Sequence, residues 1–221
     1  MARKITVDFT FDDDENEVLY TRASVMADPD AADLLPTTDG WLGLIDAARA
    51  KDRAARTATQ EAAAARAIAN RRLDGACRAF GRELAAALQN DRSGARWTRF
   101  FRTTVDAFVS QPLGEQAAAC LAWLSIEDAV LARHREALER WARAAQAALT
   151  RTSESAQVRG AALVAREQLA EDLTRGRDGL EALLTQRGLE RDLGRDFAAG
   201  FFIQARKKAK KGADDEPAGP A

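Results

Sequence analysis

A chain of 221 residues is long enough to bury one sizeable core or to form one long bundle. Its net charge of -1 excludes a global attraction to nucleic acid or anionic lipid. Hydrophobic residues make up 46% of it and aromatics only 6%; the excess is mostly alanine, which favours helix and buries little area per residue.

The charge is unevenly placed. Residues 1–40 carry ten acids against three bases, residues 206–211 five bases and no acid, and residues 41–205 carry 25 bases against 21 acids. Cys77 and Cys120 fall in helical apolar patterns without a Cys-x-x-Cys pair, and read as buried free thiols in a reducing compartment. Met1–Phe11 lacks the apolar core of a signal peptide, and no apolar run approaches the ~20 residues that span a bilayer. The expectation is a cytoplasmic protein.

In chain order, Ile5, Val7, Phe9 and Phe11 alternate with Thr6, Asp8 and Thr10, the period-2 signature of a strand over residues 4–11. Asp12–Glu15 turns the chain or caps a helix. Val18, Leu19, Val25 and Met26 then fit a short helix, with a second strand as the alternative. Asp28-Pro29-Asp30 reads as a helix start that Leu34-Leu35-Pro36 ends. These pieces make up an acidic N-terminal arm, 1–38, ahead of a helical bundle domain, 39–211, and a disordered tail, 212–221.

Thr38 or Asp39 caps a proline-free helix from Trp41 to Asn90. Ala48, Ala55, Ala62, Ala69 and Ala76 recur on it at seven-residue spacing, a methyl seam that lets a second helix approach closely. Beyond Leu73 the line turns to Cys77, Phe80, Leu84 and Leu88, so the packing is expected to widen from the start of the helix to its end. Asp91–Gly94 stops it. A short helix, Ala95–Ser110, presents Trp97, Phe101 and Phe108, and Gln111–Gly114 breaks the chain again. A helix from Glu115 to Thr150 carries Leu124, Leu131, Leu138 and Ala145 at one heptad position, with Cys120, Glu127, His134, Trp141 and Ala148 at the other. Thr152–Ser155 breaks or caps it, and a last helix runs to Lys211. That last stretch holds Gly160, Gly176, Gly179, Gly188, Gly194 and Gly200, each costing about 1 kcal/mol in a helix interior relative to alanine. They predict a kink, a break near Gly188 or a close helix contact. The fold class is all-α: an elongated antiparallel helical bundle or coiled coil of three long helices and one short helix, with a short N-terminal β-strand or arm.

No catalytic pattern emerges. His134 is the single histidine, and its reading is a seam position paired with Glu127 of a neighbour. No Glu-x-x-His, P-loop, Gly-x-Gly-x-x-Gly or Gly-x-Ser-x-Gly occurs, so neither an enzyme nor a cofactor or metal is expected. Two segments interleave rings with bases. Arg96-Trp97-Thr98-Arg99-Phe100-Phe101-Arg102 reads as a short helix closing a bundle end. Phe201, Phe202, Lys207, Lys208, Lys210 and Lys211 suit a polyanion, or the bases pair with the acidic Asp12–Glu17 segment of the same chain or a neighbour. The leading reading is a self-associating helical scaffold or assembly subunit, a homo-oligomer or partner-protein binder, joined through the alanine seam and the Ile5–Phe11 strand. The alternative is a nucleic-acid or anionic-membrane-surface binder acting through residues 201–211.

Overall fold

The structure, a computed structural model, describes residues 8–194 and 196–204. Among them every regular element is helical: α1 (Phe11–Ala27), α2 (Leu35–Ala87), α3 (Ala95–Thr98), α4 (Val105–Val109), α5 (Leu113–Trp123) and α6 (Ala129–Glu190), with single 3-10 turns at Ala32–Leu34 and Ala198–Phe201. The chain is an all-α helical bundle built on two long helices, of 53 and 62 residues, not three. None of its helices is long and apolar enough to cross a membrane, among the described residues.

Several boundaries differ from those expected, each for a local reason. Ile5 and Val7 lie outside the described residues. The described end of the expected strand is the start of α1: Thr10 accepts the Asp13 N–H at 3.1 Å and donates its own N–H to the Asp13 carboxylate at 2.9 Å, a reciprocal cap that makes Phe11 the first helical residue. Leu35 and Pro36 begin α2 instead of ending a helix, because proline lacks only an N–H that the first turn leaves unpaired anyway. α2 stops at Ala87, where Gln89 and Asn90 turn left-handed at φ 51° and 66°. The expected 95–110 helix is two short ones; Thr104 caps the second by accepting the Ala107 N–H at 3.1 Å.

The expected Glu115–Thr150 helix is broken at Leu124–Asp128. There Asp128 accepts the N–H groups of Val130 and Leu131 at 2.8 and 3.1 Å and starts α6. No break follows at Thr152–Ser155. Thr152 and Ser155 turn their hydroxyls back onto the carbonyls of Ala148 and Thr152 at 2.8 and 2.9 Å, so their donors are satisfied inside a continuous helix. α6 then runs past Gly188 and ends at Glu190, short of Lys211.

The chain divides into two compact units, Met1–Arg49 with Ala165–Ala221, and Ala50–Val164. α2 and α6 each supply a segment to both. In the first unit, Val18 and Val25 of α1, Trp41, Ile45 and Ala48 of α2, Leu169, Leu173, Leu180 and Leu184 of α6, and Phe201 and Phe202 share one core. Within the described part of the acidic N-terminal segment, Val18, Val25 and Ala31 lie in this core. Arginines hold the segment's carboxylates. Arg166 pairs with Asp14, Arg191 with Asp30, and Arg177 with Glu17 at 3.5 Å. Arg187 grips Asp33 with both nitrogens at 2.6 and 2.9 Å, and Arg49 reaches Glu15 at 2.6 Å. Asp14 is fully buried; desolvation pushes its pKa up against the pull of Arg166.

In the second unit, Ala69, Leu73, Cys77, Phe80 and Leu84 of α2 pack with Leu131, Leu138, Ala142 and Ala145 of α6 beneath Trp97, Phe101, Phe108 and Trp123. The rings meet edge to face: Phe80 and Phe100 at 5.0 Å, Phe101 and Trp123 at 5.2 Å. Glu83 meets His134 while Arg72 lies over Trp141, so α2 and α6 run antiparallel here.

The helical glycines sort by what a methyl group would meet. At Gly176 a Cβ would lie 2.6 Å from the Trp41 indole nitrogen, which makes this the close contact that the sequence suggested. At Gly43, Gly160 and Gly179 it would meet nothing within 4 Å. Urea unfolding is expected to show Gly43→Ala, Gly160→Ala and Gly179→Ala each stabilising by about 1 kcal/mol, and Gly176→Ala destabilising by about 1–3 kcal/mol.

Candidate interaction surfaces

The described residues among those expected at interfaces are buried or half-buried. Ala48, Ala55, Ala62 and Ala69 are buried within the single chain, and Ala76 is half-buried against the second unit's core. Large residues flank the alanines on both sides along α2: Trp41 and Ile45 before them, Leu73 and Phe80 after. Within the second unit the buried line of α2 passes from Ala55 and Ala62 to Leu73 and Phe80, and in the first unit it is Trp41, Ile45 and Ala48. Phe9 packs against the first unit's core, and Phe11 carries the guanidinium groups of Arg166 and Arg49 over its ring at 4.6 and 5.8 Å.

Phe201 and Phe202 are 4% and 1% exposed, and Arg177 lies 4.9 Å from the Phe202 centroid. Their rings are therefore withdrawn from stacking on bases or entering lipid. Lys207, Lys208, Lys210 and Lys211 lie outside the described residues. In the Asp12–Glu17 segment expected to meet them, Asp14 pairs with Arg166, Glu15 with Arg49 and Glu17 with Arg177.

The Trp97 segment is a core element. Trp97, Phe100 and Phe101 are buried, and the Trp97 indole N–H donates to the Thr103 carbonyl at 3.1 Å. Arg96 holds Asp128 with two nitrogens, at 2.7 and 3.1 Å. His134 pairs with Glu83 of the same chain, Nε2 to Oε2 at 2.6 Å, where Glu127 of a neighbour was expected. Arg133 reaches the same carboxylate, and His134 and then Arg133 hold Glu83 below the usual carboxylate range. No sequence spacing joins Glu83 to a residue 51 positions away. Among the described residues no cluster of His, Cys, Asp and Glu is suited to a metal ion.

Among the open surfaces of the second unit, two lie along α2 and α6. The first is a pair of grooves floored by Gly75. One, of about 510 Å³, is lined by Ile68, Arg71, Arg72 and Trp141; the other, of about 560 Å³, by Arg78, Arg82, Arg92 and Trp97. Trp141 carries Arg140 and Arg72 over its ring at 4.9 and 5.7 Å. Residues 50–164 hold eighteen bases against twelve acids, a net of +6, while the remainder of the chain is -7.

The second surface is the stretch where the seam is thinnest. Across residues 50–68 only Ala55 and Ala62 are buried, and across 149–164 only Ser155 and Ala162. Around these four small residues Ile68, Val158, Leu163 and Val164 stand 57%, 42%, 59% and 63% exposed.

No family model, curated protein or solved structure matches the chain.

Asp128 has the most strongly shifted carboxylate on this unit. Arg96, aided by the Leu131 and Val130 N–H groups, holds it down to about 2 against the ordinary 3.8. Its side chain is 7% exposed. Because the folded pKa is depressed, the stabilisation is fully present above about pH 4 and is lost as pH falls through about 2. Asp128→Asn keeps the helix cap and removes the charge. It is expected to cost about 2 kcal/mol in urea unfolding at pH 7, with the gap to wild type closing as the pH approaches 2.

Proposed function

We propose that the protein is a non-enzymatic helical scaffold that self-associates through helix–helix contacts on its second unit. One observation carries the reading. The alanine seam is already closed within the chain, and the stretch it closes leaves Ile68, Val158, Leu163 and Val164 in water. Two helices with small residues between them have little interior, so large apolar side chains on such a pair have nowhere to go inside it. A further helix laid along residues 50–68 or 149–164 would remove them from water. Each fully buried side chain of this kind is worth about 1.5–3 kcal/mol. A second copy of the chain supplies such helices. The opposite net charges of the two units also favour contacts between the acidic unit of one copy and the basic unit of another.

The test uses substitutions at exposed positions, which leave the fold intact. Light scattering coupled to size exclusion at tens of micromolar is expected to give a dimer or larger species for wild type. Leu163→Glu with Val164→Glu is expected to give monomer with unchanged helical circular dichroism. A wild-type monomer at that concentration, or an assembly indifferent to the two glutamates, overturns the reading.

A further inference from the structure

We infer that Cys77 and Cys120 are an oxidation site, forming an intrachain disulfide when the protein meets hydrogen peroxide. Cys77 sits on α2 and Cys120 on α5, 43 residues apart in sequence, and their sulfurs lie 3.5 Å from each other. Both side chains are fully buried in the second unit's core. A disulfide needs about 2.05 Å between sulfurs, so rotations of the two side chains have about 1.5 Å to close.

The step balances with peroxide alone. The thiolate of one cysteine attacks a peroxide oxygen; the S–O bond forms, the O–O bond breaks, and the departing hydroxide takes a proton to leave as water. The sulfur is then a sulfenic acid. The second sulfur attacks it, the S–S bond forms, the S–O bond breaks, and a second water leaves. Two thiols have lost two hydrogens and two electrons, and one peroxide has become two waters. The adjacent second thiol intercepts the sulfenic acid before further oxidation.

Access sets the rate. The hydrogen bond to Cys77, and then burial, push the Cys120 thiol up, so little thiolate is present in the closed state. α5 has 11 residues, below the ~12–15 at which an isolated helix is even marginal, so packing alone holds it. Its local opening is the way in for an oxidant close to water in size. Once formed, the bond ties α5 to α2 and resists unfolding of this unit.

The full-length chain is reduced, freed of reductant, exposed to hydrogen peroxide, then denatured and alkylated for mass spectrometry. The expected result is the loss of two hydrogens, no alkylated cysteine, and a Cys77–Cys120 linked peptide pair. Oxidised wild type is expected to melt roughly 10 °C higher than reduced, with the shift removed by dithiothreitol. Cys77→Ala and Cys120→Ala, each checked for helical circular dichroism, are expected to show no peroxide-dependent rise. Peroxide in sub-denaturing urea is expected to oxidise wild type faster. Two alkylatable thiols after that treatment, sulfinic acid without a cross-link, or cross-links only between chains would each overturn the inference.

Discussion

The closure of α2 on α6 along a line of methyl groups is the constraint on which the rest of the structure depends. Ala55 and Ala62 face a helix whose buried residues at that level are Ser155 and Ala162. Such a line contributes little apolar area; a methyl group is worth about 0.8 kcal/mol. Its role is steric. Any larger side chain there would hold the two helices apart and loosen the neighbouring contacts of Leu73 and Phe80 with Leu131 and Leu138 in the same unit. Stability is therefore concentrated in two cores. One is built on Ile45, Leu173 and Leu180, the other on Phe80, Leu131 and the rings of Trp97, Phe101 and Trp123. Few apolar contacts hold the stretch around Ala55 and Ala62, which puts it at the low end of local stability.

Charge does different work in the two units. In the first, Arg166, Arg177 and Arg187 on α6 and Arg191 just past its end hold the carboxylates of the acidic N-terminal segment. The exposed members, such as Arg191–Asp30, add little. Arg177–Glu17 is buried, as is Asp14 beneath the half-buried Arg166, and removing the arginine from either pair would strand a buried carboxylate at a cost of about 3–5 kcal/mol. In the second unit, bidentate Arg96–Asp128 secures the start of α6, while Arg71, Arg72, Arg78 and Arg82 line open grooves.

Helix content and the seam were legible in the sequence, because a proline-free run with alanine at every seventh position from Ala48 has few other solutions. Boundaries were less so. Thr152–Ser155 looks like a break by composition, yet helix carbonyls one turn back satisfy both hydroxyls. Leu124–Asp128 looks continuous by heptad, yet Asp128 caps a new helix there. The alternation ending at Phe11 gave way to a capping box that only Thr10 and Asp13 together reveal. Long-range pairs were out of reach. Cys77–Cys120, Glu83–His134 and Arg177–Glu17 depend on which helices meet and in what register, and local spacing carries neither. For the same reason Phe201 and Phe202 read as an exposed aromatic-basic segment although they complete a core.

The seam's partner is α6 of the same chain. Spin labels at Gln60→Cys and Gln157→Cys, both exposed positions beside the seam on the facing helices, report it directly by dipolar spectroscopy in a Cys77→Ala, Cys120→Ala background. A seam closed within one chain gives one short interspin distance that survives dilution with excess unlabelled chain. A distance that disappears on dilution would show α2 of one chain closed on α6 of another, and would contradict it.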